Sequence, residues 1–298
     1  MSQPITLRPI GPPARPDVPV VSLTIDDRTV SVPTGTTILS ACASIGLSIP
    51  TLCFLETLKP VNVCRLCVVE IDGARVLAPS CSRAVEAGMV VRTRSPRVML
   101  ARKLVLELLA SSVDLSTAPG MAELLAEYGC HPERFGAAPA TVAQPVKIDN
   151  DLYVRDYSKC VLCYKCVEAC GPDHQNTFAI AVAGRGFGAG IATEFDVALP
   201  DSACVYCGNC IAVCPTGALM FRSEHELREA DAWREEDQTV TRTICPYCGV
   251  GCNLDLHVQD NRIVKVSSPD DHDVTSGNLC IKGRFGFEHV QVRDSDPA

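Results

Sequence analysis

The chain has 298 residues, a net charge of −8, 5 % aromatic residues, 21 prolines and 18 cysteines. It is long enough for two or three domains with their own cores. Its acidity argues against non-specific nucleic-acid binding, which needs a basic face, and no apolar run approaches membrane-spanning length. So many cysteines, behind an N-terminus with no apolar signal segment, argue against a secreted disulfide scaffold and favour metal-bound thiols in a reducing compartment; a cytoplasmic protein without a membrane span is expected.

Residues 1–20 hold five prolines between Pro4 and Pro16 and one more at Pro19, which predicts a disordered arm. Val21-Ser-Leu-Thr-Ile and Thr29-Val-Ser-Val alternate on either side of Asp26-Asp27, predicting a β-hairpin. Thr37 then offers a hydroxyl cap to an apolar helical stretch that includes Cys42, read as a small buried hydrophobe. A hairpin followed by a helix is the start of a β-grasp domain, assigned here to 21–97. Within it Cys53, Cys64, Cys67 and Cys81 are spaced C-x10-C-x2-C-x13-C, and Cys64-Arg-Leu-Cys67 leads into a predicted strand, Val68–Ile71.

That spacing differs from the plant-type C-x4-C-x2-C…C run. It resembles the N-terminal domain of the large iron–sulfur subunit of NADH:quinone oxidoreductase, of the diaphorase part of NAD-reducing hydrogenases, and of the α subunit of NAD-dependent molybdenum formate dehydrogenases. The resemblance implies a [2Fe–2S] cluster on these four cysteines. Helices are predicted over 97–110 and 120–129, within a linker spanning 98–145. In those families a His-x3-Cys-x2-Cys-x5-Cys motif in this region binds a further [4Fe–4S] cluster. Here Ser111-Ser-Val-Asp-Leu-Ser-Thr-Ala-Pro stands in its place, so that cluster is expected to be absent. Cys130-His131 reads as an ordinary loop pair, and 136–144 as a small-residue linker.

The region 146–222 contains one four-cysteine phrase twice: Cys160-Val-Leu-Cys163-Tyr-Lys-Cys166-Val-Glu-Ala-Cys170 and Cys204-Val-Tyr-Cys207-Gly-Asn-Cys210-Ile-Ala-Val-Cys214-Pro. C-x2-C-x2-C-x3-C is the bacterial ferredoxin run, in which the fourth cysteine ligates the other run's cluster. One [4Fe–4S] cluster is therefore expected on Cys160, Cys163, Cys166 and Cys214, and a second on Cys204, Cys207, Cys210 and Cys170. The two-residue gaps fold a loop around one cubane, and the last cysteine is expected to open a short helix. Structural zinc also uses paired C-x2-C, but gives no reason for interlocked runs with a trailing Cys-Pro. Gly184-Arg-Gly-Phe-Gly-Ala-Gly190 lacks the helix and acidic ribose ligand of a dinucleotide loop and reads as a turn. His174 reads as a polar loop residue.

A charged helix is predicted over His225–Glu236, in a linker assigned to 223–239. In the last domain, 240–298, Cys245, Cys248, Cys252 and Cys280 give C-x2-C-x3-C-x27-C, with a hairpin from Leu254 through Asp260-Asn261 to Val266 between them. This resembles the first domain of molybdopterin oxidoreductases, where the matching cysteines hold a [4Fe–4S] cluster beside the pterin. Cys280-Ile-Lys282-Gly-Arg-Phe-Gly-Phe-Glu is similar to the formate dehydrogenase segment after the fourth ligand. By that resemblance Lys282 lies between cluster and pterin, as a cofactor-binding residue.

The expected fold class is therefore α+β: a β-grasp [2Fe–2S] domain, a helical linker, a bacterial-type 2[4Fe–4S] ferredoxin domain and a small C-terminal [4Fe–4S] domain of molybdopterin-oxidoreductase type. Pterin-binding, flavin and NAD domains are not evident. The resemblance implies a non-catalytic electron-transfer subunit of an NAD-dependent formate dehydrogenase. A separate molybdenum or tungsten subunit would meet one end and a flavin/NAD diaphorase subunit the other. A hydrogenase or NADH dehydrogenase subunit and a zinc-stabilised scaffold are the alternatives. The Cys245–Cys280 unit is taken to discriminate against the first.

Overall fold

The computed structural model describes residues 18–136 and 144–291. The arm expected over 1–20 therefore lies almost wholly outside the described residues, as does most of the 136–144 linker.

The first hairpin forms as its alternation predicts. β1 (Val20–Ile25) and β2 (Arg28–Pro33) pair antiparallel, and Asp26 and Asp27 both take positive φ, 44° and 66°. A two-residue turn of that kind matches the right-handed twist of the strands. α1 (Ile38–Ser44) is capped by Thr37, whose Oγ1 accepts from the Ser40 N–H at 3.1 Å. β3 (Val68–Ile71), β4 (Ala78–Pro79) and β5 (Val90–Arg92) complete a mixed sheet of order β2-β1-β5-β3-β4, with β1 and β5 parallel. Leu23, Ile25, Val69, Val91, Ile38 and Ala41 close its core, together with a fully buried Cys42.

α2 (Pro96–Ser112) starts where Ser95 caps the Val98 N–H and Pro96 occupies the first turn, which needs no donor there. Its Leu106 packs against Leu52, Leu66 and Met121 at the start of α3 (Met121–Glu127). The polar loop between the helices docks on the next domain. Asp114 pairs with Lys159, and Thr117 Oγ1 donates to Thr216 O at 2.6 Å.

That domain is small. β6 (Tyr153–Arg155), α4 (Lys165–Cys170), β7 (Ala181–Ala183), β8 (Gly190–Ala192), α5 (Asn209–Ala212) and β9 (Leu219–Phe221) follow one another, with β6 paired to β9 and β7 to β8. One expectation is corrected here. The trailing cysteine does not open a helix: Cys170 ends α4, and Cys214 follows α5. The helical turn is needed to carry the chain from the third to the fourth cysteine, so it precedes the last one. The glycine stretch is the turn of the β7–β8 hairpin, in which Gly184 has φ +71° and a Cβ would lie 2.2 Å from Gly188 O.

α6 spans Arg222–Glu229, earlier and shorter than the predicted 225–236. Asp231 turns left-handed (φ 53°) while the Ala232 N–H bonds to Leu227 O, a helix-terminating pattern that a charge count does not reveal. The chain then forms β10 (Thr239–Ile244), β11 (Asn253–Gln259) and β12 (Arg262–Ser267), a three-stranded antiparallel sheet, followed by α7 (Ile281–Gln291). The β11–β12 hairpin was expected; β10, exposed along its whole length, was not. Tyr153, Phe221, Phe285 and Phe287 share one core between this unit and the previous one. Phe285 stacks on Tyr153 with centroids 6.0 Å apart. Each such buried aromatic contributes about 1.5–3 kcal/mol.

Candidate metal centres

Each repeated cysteine run folds the same way. Residues flanking the second cysteine turn left-handed in both copies: Leu162 (51°) and Tyr164 (65°) around Cys163, Tyr206 (55°) and Gly208 (69°) around Cys207. The Leu162 N–H points at Cys160 Sγ, and the Tyr206 N–H at Cys204 Sγ, both at 3.4 Å. Non-glycine residues pay on the order of 1 kcal/mol each for such backbone, and the result is a loop whose thiols face inwards.

The thiols gather in crossed sets. A recess of about 330 Å³ is walled by Cys160, Cys163 and Cys166 of the first run and by Cys214 of the second. Another, of about 410 Å³, is walled by Cys204, Cys207 and Cys210 and by Cys170. Burial pushes Cys163 up to about 12 and Cys166 and Cys210 well above the ordinary thiol value. Thiols held in that way ionise only against a bound cation. Among the described residues no three Cys, His, Asp or Glu groups meet closely enough to hold a single metal ion. The four thiols of each recess stand around a volume, which suits a polynuclear cluster spanning it. Tyr153, 1 % exposed, puts its hydroxyl 3.2 Å from Cys204 Sγ.

In the first domain the thiols come as two pairs. Cys67 and Cys81 lie 3.4 Å apart, and Cys53 and Cys64 are close enough to act on each other. Interaction with Cys53 holds Cys64 down to about 5, and interaction with Cys81 holds Cys67 at about 6, against burial that acts the other way. Two pairs of thiols suit two metal atoms, one per pair. Asn62 Oδ1 reaches both Cys81 Sγ (3.3 Å) and the Ser82 hydroxyl (2.7 Å), tying the loop between Cys53 and Cys64 to the last cysteine. Cys42 is buried in the sheet core. Cys130 packs beside α2 with His131, whose N–H donates to Glu107.

The C-terminal set is more open. Cys245 is buried and Cys252 half-buried, while Cys248 and Cys280 are exposed. The Cys245 N–H donates to Cys252 O at 2.8 Å, and burial raises the Cys252 thiol, helped by Cys245, Cys248 and Cys280 nearby. Lys282 is exposed at the start of α7. The side chain that enters the interior is Arg284, two residues on and fully buried. Sequence reasoning passes it over, although a cation four residues after Cys280 on a helix shares its face.

The comparisons with known proteins agree with this division. Three family models match: "2Fe-2S iron-sulfur cluster binding domain" over 19–96, "4Fe-4S dicluster domain" over 159–218 and "Molybdopterin oxidoreductase Fe4S4 domain" over 238–292. An NADH-quinone oxidoreductase subunit of Rhizobium meliloti is 32 % identical over 92 % of this chain and 32 % of its own length. A putative formate dehydrogenase of Staphylococcus haemolyticus is 26 % identical over 90 % of this chain and 31 % of its own. The crystal structure of an NAD+-reducing [NiFe]-hydrogenase in the H2-reduced state superposes with a TM-score of 0.60 at 25 % identity, covering 68 % of this chain and 87 % of that one. The chain thus spans about a third of the length of these curated relatives. It is an iron–sulfur protein carrying a 2Fe–2S domain, a 4Fe–4S dicluster domain and a molybdopterin-oxidoreductase Fe4S4 domain, similar over most of its length to the N-terminal iron–sulfur region of NADH-quinone oxidoreductase subunits and formate-dehydrogenase-like proteins.

Proposed function

We propose that this chain is an electron-transfer subunit with four clusters: one [2Fe–2S] on Cys53, Cys64, Cys67 and Cys81, and three [4Fe–4S]. The latter sit on Cys160, Cys163, Cys166 and Cys214; on Cys204, Cys207, Cys210 and Cys170; and on Cys245, Cys248, Cys252 and Cys280. The observation that carries the reading is the crossing of the fourth cysteine between two recesses, which a dicluster ferredoxin requires and independent zinc sites do not. When bound, the clusters supply one-electron carriers. The chain's own part is to hold the sulfurs, exclude water from them and set their potentials through N–H groups, hydroxyls and buried charge. The first unit reads as β-grasp from its sheet order.

The finer reading is an NAD-dependent formate dehydrogenase. A separate molybdopterin subunit would deliver electrons at the C-terminal set, where the exposed Lys282 would be the residue to meet the pterin, and a flavin/NAD subunit would take them from the 2Fe–2S domain. The C-terminal unit does not by itself exclude the other complexes: an alignment with a quinone oxidoreductase subunit over 92 % of this chain has to include most of 238–292. The formate assignment rests on the likeness of Cys280–Glu288 to the formate dehydrogenase segment. A hydrogenase-linked relay is the second reading, favoured by the structural match. Purification of the native complex with its partners, followed by NAD+ reduction with formate or with H2 as donor, tests both. Formate-dependent reduction is expected; reduction with H2 alone overturns the formate assignment.

A further inference from the structure

Among the described residues three arginines are at most 1 % exposed: Arg102, Arg155 and Arg284. Arg155 is paired with Asp149. Arg284 differs. Its Nε donates to Cys207 O (3.2 Å), its two terminal nitrogens to Val266 O (3.4 Å), Gly277 O (3.3 Å) and Asn209 Oδ1 (3.0 Å). Among the described residues no carboxylate lies within 4.0 Å of it; Asp270 acts on it from farther away. Every partner is neutral, so a full positive charge stands in the interior without an adjacent counter-ion. An arrangement of that kind costs several kcal/mol unless a negative group is close.

The cluster-bound thiolates of the proposed centre would supply that group. Cys207, Cys210 and Cys280 all act on the guanidinium, and Arg284 in turn acts on Cys207. The packing admits the side chain at one specific place. Gly208, left-handed between Cys207 and Cys210, lies so close that a Cβ there would be 2.9 Å from Arg284 Cδ and 3.0 Å from Phe285 Cζ. The Arg284 N–H also closes the first turn of α7 on Cys280 O at 3.0 Å. Arg284 therefore touches the ligand loop of one thiol set and is helically fixed to the last cysteine of another.

We propose that Arg284 is the built-in counter-charge of the cluster on Cys170, Cys204, Cys207 and Cys210, raising its reduction potential and placing a buried positive charge between it and the C-terminal set. This rests on the cluster assignment above. A thiolate-bound cluster is anionic and gains a further negative charge on reduction, so a fixed cation stabilises the reduced form more than the oxidised one. Arg284 acts through the cluster's surroundings, as a positioning residue.

The test is a dithionite titration of the purified chain or complex, followed by electron paramagnetic resonance, on wild type, Arg284→Gln and Arg284→Lys. The signal in question is identified by its loss in Cys204→Ala. Arg284→Gln is expected to shift that cluster's reduction equilibrium towards the oxidised form by at least tenfold, about 59 mV for a one-electron couple. The [2Fe–2S] signal should stay in place as an internal reference, and Arg284→Lys should recover most of the shift. Loss of the cluster in Arg284→Gln alone, with Arg284→Lys intact, supports the same charge requirement. An unmoved potential in Arg284→Gln overturns the proposal, as does equal shift or equal cluster loss in both variants, which would mark a structural role. A wild-type protein without the signals contradicts the cluster assignment instead, so the two failures are distinguishable.

Discussion

Tyr153 Oη stands 3.2 Å from Cys204 Sγ, delivered by β6 from beneath the second cysteine run while its ring is held against Phe285. A hydroxyl donating to a cluster sulfur favours the reduced, more negative state. Tyr153→Phe keeps the ring and removes the donor. The reduction potential of that cluster is expected to fall by roughly 40 mV, the equivalent of one hydrogen bond of about 1 kcal/mol. A redox titration checks it, and an unchanged potential would show that the hydroxyl is not engaged with sulfur.

The crossing of the fourth cysteine makes a pairing prediction. Cys214→Ala should abolish the same paramagnetic signal as Cys160→Ala, and Cys170→Ala the same one as Cys204→Ala. If Cys170→Ala instead matched Cys160→Ala, each run would hold its own cluster and the crossed arrangement would be wrong.

Gly208 is expected to tolerate no side chain. A left-handed φ of 69° and the approach of Arg284 and Phe285 together make Gly208→Ala destabilising by about 2 kcal/mol. Thermal unfolding measures it.

His257 on β11 carries a pH prediction. Burial and the nearby Lys265 hold its pKa down at about 4, below the ordinary 6.5, with its Nε2 placed 2.8 Å from the Ser267 hydroxyl. The unfolded chain binds that proton near pH 6.5 and the folded chain only near pH 4. Stability contributed by the neutral ring is therefore fully present above pH 6.5 and is lost as pH falls towards 4. With part of the ring open to water the loss is about 1–2 kcal/mol. His257→Gln should flatten the change in unfolding temperature between pH 7.5 and 5.5; an identical slope in both proteins would remove His257 as the cause.

Much of this arrangement was legible in the sequence because cysteine spacing is dictated by bond geometry. The hairpin at Asp26-Asp27, the Thr37 cap and the strand after Cys67 also follow from local chemistry, so they appear where the pattern puts them. The end of α6 was missed because it depends on a left-handed turn at Asp231 and on Trp233 lying between Arg228 and Lys265, each 5.0 Å from its ring, and neither is a local propensity. β10 was missed because its exposed residues have no apolar face to signal a strand. Lys282 stands out in the sequence and Arg284 does not for a related reason. Only the packing of α7 against the Cys207 loop shows which of the two cations is buried.

The central claim is that sixteen of the eighteen cysteines hold four clusters, and it is met most directly by chemical analysis of anaerobically purified protein combined with a redox titration. The expected result is about fourteen iron and fourteen acid-labile sulfide ions per chain, with four reducible centres. Zinc in place of iron and sulfide, or fewer than four reducible centres, would contradict it.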